Sequence, residues 1–308
     1  EISACLVGSE MCIRDSASPS RTIEIQKKYG LQAKKSLGQN FIIDSNILQK
    51  MVDSAGVDKD TVVIEVGPGI GALTEQVARL AKAVYSFEID QRLLPVLEDS
   101  LAPYKNISII NQDILQVDLG QFCRDQDIDR DRLVVMANLP YYITTPIIMH
   151  FLQAPLKLDY LAFMVQKEVG QRIVAGPGTK AYGSLSIAVQ YYAQAHILFQ
   201  VPKTVFRPQP KVDSAVIGLD ILDQPSVSVE DEAFFFQVAR ASFAQRRKTL
   251  WNNLRAHFGK DKQVQAKVQV ALSQAGIDPG LRGEALGLAD FACLTTALSD
   301  QGLKEVSH

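Results

Sequence analysis

The chain holds 308 residues, 47% hydrophobic and 21% charged, with 32 basic and 34 acidic side chains and a formal net charge of −2. This length suits one large domain with a smaller companion, and the composition excludes a disordered chain. The charge excludes a protein basic throughout, though not a local basic patch, because a sum hides its distribution.

Cys5, Cys12, Cys123 and Cys293 form no Cys-x-x-Cys pair and stand near no histidine at metal-ligand spacing. With four histidines in all, no metal is expected, and the thiols read as buried or incidental in a reducing cytoplasm. No apolar run reaches the roughly 18 residues of a transmembrane helix, so a cytoplasmic protein with no membrane partner is expected. Residues 1–16 lack the charged start and apolar stretch of a signal peptide and show no periodicity. The run from Cys5 to Ser16 resembles translated sequencing-adapter sequence, and residues 1–16 are expected to be a non-native leader.

Residues 21–38 are basic, with Arg21, Lys27, Lys28, Lys34 and Lys35 against Glu24, and Gly38-Gln39-Asn40-Phe41 follows. Asp44 is placed to cap a helix whose apolar side is Ile47, Leu48, Met51 and Val52. An alternating pattern comes next. Strands are predicted over Thr61–Val66, Val84–Ile89, Ile107–Ile110, Leu133–Ala137 and Tyr160–Val165, with helices over Ala72–Ala83 and Leu93–Leu101. Such alternation argues for a mostly parallel sheet covered on both faces. Residues 184–193 read as helical, and His196–Val201 and Ser214–Leu219 as last strands. After Asp223-Gln224-Pro225 the β-branched runs vanish. Helices are predicted over Glu230–Ala244, Arg247–His257, Lys262–Ala275 and Ala289–Gln301. The expected domains are 17–222, with its basic N-terminal arm, and a helical domain over 223–308.

Glu65-Val66-Gly67-Pro68-Gly69-Ile70-Gly71 lies between a strand and a helix, where glycines let the backbone turn sharply and approach a ligand. Glu88 closes the next strand, 21 residues after Gly67; a carboxylate there accepts from both ribose hydroxyls of a nucleoside-type cofactor. With Ala72 in last place the loop also satisfies the dinucleotide pattern. The loop alone therefore admits NAD or FAD, S-adenosylmethionine, or a purely structural turn. Two features shift the balance. An anion at Glu65 repels a pyrophosphate but favours a cationic methionine moiety. Asp113, ending the third strand, can accept from an adenine amino group. Any one of Glu65, Glu88 and Asp113 suits a solvated strand end, but all three fall where an open parallel sheet binds its ligand.

The fourth strand runs into Asn138-Leu139-Pro140-Tyr141. An exocyclic adenine amine is a poor nucleophile until it pyramidalises, and two acceptors on its hydrogens favour that geometry. The Asn138 side-chain oxygen and the Leu139 carbonyl can supply them, Pro140 stiffens the turn, and Tyr141 offers a ring to stack on a flipped base. The same tetrapeptide also suits an ordinary loop turn with a proline stop. In Val205–Ser214, prolines impose an extended course. Phe206 is either a second stacking face or core, and Arg207 and Lys211 can touch phosphate. Residues 240–262 carry seven basic side chains, among them Arg246, Arg247, Lys248 and Arg255, against one acid, Asp261. Such a segment either follows a phosphate backbone or is a solvated helix surface. Trp251 beside it reads as core.

These segments together resemble the ribosomal RNA small-subunit adenine dimethyltransferase A family. The likeness covers roughly residues 21–300. Its most specific parts are Lys34–Phe41, Glu65–Gly71, Asn138–Tyr141, Gln166–Val169, Ala181–Ser186 and Phe206–Ser214. The resemblance implies an α/β fold: a Rossmann-like, class I S-adenosylmethionine-dependent methyltransferase domain with a mostly parallel seven-stranded sheet, and a smaller C-terminal all-helical domain. It implies N6,N6-dimethylation of two adjacent adenines near the 3′ end of small-subunit rRNA, with S-adenosyl-L-methionine as cofactor. It implies cofactor contacts by Asn40, Ile42, Gly67, Glu88, Asp113 and Asn138, and target-adenine contacts by Asn138, Leu139, Tyr141 and Phe206. An immature small ribosomal subunit is the expected partner, and a monomer the expected state. Two other readings stand beside it: a large-subunit rRNA adenine methyltransferase of the antibiotic-resistance type, and a non-catalytic RNA-binding assembly or transcription factor on the same scaffold.

Overall fold

The structure is a computed structural model that describes residues 18–304 apart from 32, 33, 35 and 36. The expected leader therefore lies outside the described residues, as do Lys35 and Ser36 of the basic arm. Packing divides the chain into two units. One holds the described residues up to Gly170 with His196–Ile221; the other holds Gln171–Ala195 with the described residues from Leu222 onward.

The first unit opens with α1 (Pro19–Lys28), capped by the Ser18 hydroxyl, which accepts from Arg21 N–H. A two-residue strand β1 (Phe41–Ile42) follows, then α2 (Ser45–Ser54), capped by the Asp44 carboxylate and burying Leu48, Met51 and Val52 as its sequence predicts. Next come β2 (Thr61–Val66), α3 (Ala72–Ala78), β3 (Ala83–Phe87), α4 (Leu94–Ser100), β4 (Ile107–Ile110), α5 (Leu119–Asp125), β5 (Arg132–Asn138), α6 (Thr144–Leu152) and β6 (Tyr160–Gln166). The strands β7 (Ala193–Val201, which straddles the changeover), β8 (Phe206–Arg207) and β9 (Ser214–Ile221) complete it. Helix α3 stops five residues short of its predicted end. The Asn106 amide donates to the carbonyls of Ala78 and Ala81, both at 2.9 Å, and so satisfies acceptors that a longer helix would have paired internally.

The strand order is β4-β3-β2-β5-β6-β9-β7. From β4 to β6 every pairing is parallel, and β9 runs antiparallel to β6. All six residues of β2 are buried, as a central strand covered on both faces requires. Val66 lies level with Phe87 on one side and Ala137 on the other, and Phe87 lies level with Ile110. The loops leaving β2, β3, β4 and β5 therefore emerge side by side at one edge.

The second unit contains α7 (Lys167–Val174, which straddles the changeover), α8 (Ser184–Tyr192), α9 (Glu232–Ser242), α10 (Leu250–Phe258), α11 (Lys262–Gln274) and α12 (Leu288–Asp300). Its core gathers Tyr182, Ile187 and Tyr191 with Phe235, Leu254, Leu272 and Phe291, and half-buried Trp251 packs against it. The sequence reading groups residues 171–195 with the parallel sheet by chain order. Their apolar side chains pack instead with the C-terminal helices.

Candidate active site

A cleft opens at the carboxyl edge of β2, β3, β4 and β5, entirely within the first unit. Its floor is the glycine loop. Gly67, Gly69 and Gly71 all have positive φ (68°, 62° and 87°), the left-handed region that glycine enters without a Cβ penalty. At Gly69 the space matters as well, because a Cβ there would sit 3.3 Å from two ring carbons of Phe41. The loop can lie this close to β1 only without a side chain.

Three acids line the cleft. Glu65 is 1% exposed, and Ser86, level with it on β3, donates its hydroxyl to Glu65 Oε2 at 2.8 Å. Burial pushes the Glu65 carboxyl up to about 7, against its hydrogen bonds. Glu88 accepts from Asp90 N–H through Oε1 (2.8 Å) and from Gly69 N–H through Oε2 (3.3 Å), so its carboxylate plane is set by backbone. Burial raises its pKa too. Asp113 accepts from Leu115 N–H at 3.0 Å and caps the turn after β4. The Asn111 amide donates to the Glu88 carbonyl at 2.7 Å and ties the ends of β3 and β4 together.

A fourth acid, Asp90, is tied to Gln39 of the lining. Asp90 accepts from Gln39 Nε2 (3.0 Å) and from Arg92 Nε and Nη2 (2.9 and 2.6 Å), and Lys34 Nζ stands 3.8 Å away. The Arg92 guanidinium holds this carboxyl down at about 2. The network keeps Gly38-Gln39-Asn40 against the cleft. Sequence reasoning missed Asp90; its signal was an acid two residues after Glu88 with an arginine two residues further on.

Asn138 ends β5, and its Nδ2 donates to the Asn40 carbonyl at 3.0 Å. The amide nitrogen is thereby engaged on the wall, which orients the side chain. Leu139 N–H donates to the Met164 carbonyl (3.1 Å), and the Pro140 carbonyl accepts from Ile143 N–H (3.2 Å) and Thr144 Oγ1 (3.1 Å). The turn is pinned at both ends. The Tyr141 hydroxyl shares a 2.8 Å hydrogen bond with the Ser214 hydroxyl, and Ser214 is fully buried on β9. Burial raises the Tyr141 phenol pKa, keeping it neutral.

Asn40, Ile42, Gly67, Glu88, Asp113, Asn138, Leu139 and Tyr141 thus meet at one cleft. Phe206 does not. It is 3% exposed, pairs with Ile42 across the β1–β8 ribbon, and packs in the core. In this structure the Phe206 ring packs with Ile42 in the core and lies outside the lining of the cleft. Its neighbour Arg207, level with Phe41, is exposed, as is Lys211.

In the second unit Arg246, Arg247 and Lys248 are exposed on the turn between α9 and α10, not on a helix. The Thr249 hydroxyl accepts from Asn252 N–H and starts α10 after them. Buried Asn253 holds the turn: its Nδ2 donates to the Ser242 carbonyl (2.8 Å) and its Oδ1 accepts from Gln245 N–H (3.1 Å). Arg246 also reaches the Lys180 carbonyl and Glu284. Arg255 is half-buried on α10.

Among the described residues, no lysine, arginine or histidine lines the cleft. Three carboxylates without a counter-cation fit a cofactor bearing positive charge and hydroxyls, and they oppose a pyrophosphate. That decides between the ligands the loop alone left open. Among the described residues no group of His, Cys, Asp and Glu is placed to hold a metal ion, and no helix is long and apolar enough to cross a membrane.

The reversed strand β9, set between β6 and β7, and the acid-rich cleft at the carboxyl edge of the parallel strands define a Rossmann-like methyltransferase fold. Two solved structures share it: a dimethyladenosine transferase from Plasmodium falciparum (TM-score 0.70, 22% identity, covering 85% of this chain and 98% of that one) and the 23S rRNA methyltransferase ErmE (TM-score 0.63, 24% identity, covering 84% and 99%). In sequence the chain is 55% identical over 287 residues to ribosomal RNA small subunit methyltransferase A of Bacillus licheniformis, across 93% of this chain and 98% of that one. Residues 30–278 match the family described as ribosomal RNA adenine dimethylase. The chain belongs to that family, whose methyl donor is S-adenosyl-L-methionine.

Proposed function

We propose that this protein dimethylates, at N6, two adjacent adenines near the 3′ end of small-subunit rRNA, acting as a cytoplasmic monomer on an immature small subunit. One observation carries the chemistry: the Asn138 amide, oriented by Asn40, stands in a crevice with three acids and, among the described residues, no lysine, arginine or histidine. The small-subunit substrate is supported by the near full-length likeness to a small-subunit enzyme. The ErmE likeness speaks to fold alone.

The bound S-adenosyl-L-methionine supplies an electrophilic methyl group. Asn40, Ile42, Gly67, Glu88 and Asp113 would hold it, with Glu88 placed to accept from the ribose hydroxyls and Asp113 from the adenine amino group. Ionised Glu65 offsets its positive charge across the cleft. Asn138 Oδ1 and the Leu139 carbonyl accept the two hydrogens of the target amine and draw it toward a pyramidal geometry. Tyr141 stacks on the extruded base, with its edge fixed by Ser214. No strong general base is required, because the amine proton acidifies once the methyl is added. Approximation and exclusion of water supply the rest. Arg207, Lys211, Arg246, Arg247, Lys248 and Arg255 contact phosphate.

The test is isotopic methyl transfer to undermethylated small subunits, with large subunits in parallel. Incorporation confined to the small subunit supports the proposal. Incorporation confined to the large subunit moves it to the antibiotic-resistance type, and binding without turnover makes the protein an assembly factor.

A further inference from the structure

The chain has 13 Phe, 9 Tyr and one Trp, and among them Tyr142 alone is exposed, at 60%. Every other aromatic ring is buried or half-buried. This ring stands on the wall of the cleft, next to Tyr141. A folded chain that shields all but one of its large π surfaces, and leaves that one beside its reactive crevice, has a ring available for a partner.

The ring is also backed. Gly38 has φ +59°, and a Cβ added there would sit 3.3 Å from Tyr142 Cδ1 and 3.4 Å from Cε1. Bare backbone therefore lies against one part of the ring, limiting its rotation, while the rest stays open. Gly38 is held in turn, because its carbonyl accepts from the Asn40 amide at 3.0 Å and its neighbour Gln39 is tied to Asp90. Ile89, 55% exposed, adds a second apolar side chain on the lining.

We propose that Tyr142 is a stacking subsite for the nucleobase adjacent to the extruded target. The inference rests on the RNA-methyltransferase reading above. Its physical content is simple. Extruding one base leaves its sequence neighbour without a stacking partner, one nucleotide away from the pocket. Tyr142 is one residue from Tyr141, and an aromatic face stacks on any base because every base has a π-face. Its occupant is a base rather than a phosphate, since the ring carries no charge and the cleft it borders is acidic. Tyr142 thus replaces a stack that extrusion breaks, and lowers the cost of presenting the target.

The experiment uses small subunits reconstituted with rRNA that carries 2-aminopurine next to a methylatable adenine. The full-length protein is compared with Tyr142→Ala and Tyr142→Phe. The expected results are fluorescence quenching by the wild type and Tyr142→Phe, loss of that quenching with Tyr142→Ala, and a rise in KM for the subunit of roughly 5- to 100-fold. The Kd for S-adenosyl-L-methionine should stay unchanged, which also reports an intact fold. Wild-type quenching and KM in Tyr142→Ala would overturn the inference. So would a raised KM with no change in quenching, because the ring would then meet some other part of the particle. If the wild type methylates no small-subunit RNA, the functional reading itself has failed, a result distinct from either.

Discussion

Asn138 and Asn40 lie 98 positions apart in the chain, yet the side-chain nitrogen of the first donates to the backbone carbonyl of the second at 3.0 Å. In the proposed mechanism, this bond decides which end of the Asn138 amide faces the reacting amine. With the nitrogen spent on the wall, the oxygen is the end left to accept. Asn138→Ala removes both the orientation and the acceptor. The expected outcome is a loss of about 10²- to 10³-fold in kcat for methyl transfer, with a much smaller change in donor affinity. Single-turnover methylation with parallel calorimetric titration of the donor checks it. Equal turnover by variant and wild type would remove Asn138 from the mechanism.

Tyr141 and Ser214 form a second pair of this kind, linking the turn after β5 to β9. Each of Tyr141→Phe and Ser214→Ala should lower kcat/KM for the subunit by about 5- to 15-fold, the equivalent of one hydrogen bond of about 1–1.5 kcal/mol. Because both remove the same bond, the double variant should lose no more than either single one. A double-mutant cycle on methyl transfer reads this directly; multiplicative effects would mean that the bond does not position the ring.

Glu65 makes the cleft pH-dependent. Its carboxyl sits at about 7 in the folded protein, above its ordinary 4.5. A positively charged donor prefers the ionised form, so donor affinity should tighten as pH rises through about 7, and Glu65→Gln should flatten that profile. The sign for stability is the reverse. The raised pKa means that folding pays for a buried charge: the cost is absent below 4.5, grows as pH rises, and is complete above about 7. It amounts to something on the order of 3 kcal/mol. Glu65→Gln should therefore gain stability relative to wild type between acid and alkaline pH, as urea titrations across that range would record.

The basic turn of the second unit should act through phosphate alone. Arg247→Ala combined with Lys248→Ala is expected to weaken subunit binding and to reduce the slope of log K against log salt by about 2 at most, one for each cation removed. Both side chains are exposed, so stability and donor affinity should hold. Filter binding across ionic strengths measures it; unchanged binding at every salt concentration would take this turn out of the interface.

Much of the site was legible because its residues are strand ends. A β-branched run located β2, the alternation of short apolar strands with helices located β3, β4 and β5, and Glu65, Glu88, Asp113 and Asn138 fall at or just beyond their termini. The ribbon of β1 and β8 was not legible, since two-residue strands carry no period. Phe206 consequently read as either a stacking face or core, and tertiary pairing with Ile42 buries it. Helix α6 was missed because Thr144-Thr145-Pro146-Ile147-Ile148 is a poor helical start by propensity, and its burial of Ile147, Ile148 and Phe151 overrides that preference. The segment over 171–195 was grouped by chain order, whereas Tyr182, Ile187 and Tyr191 belong to the aromatic core around Phe235.

The most direct test of the central claim, that a methyl donor and an extruded adenine meet beside Asn138, is mass spectrometry of the small-subunit rRNA 3′ end. RNA from a bacterial strain lacking its own dimethyltransferase would be compared after supplying the wild type or Asn138→Ala. The wild type should restore two dimethylated adenines side by side and Asn138→Ala should leave them unmodified. Unmodified adenines with the wild type, or full dimethylation with the variant, would contradict the account.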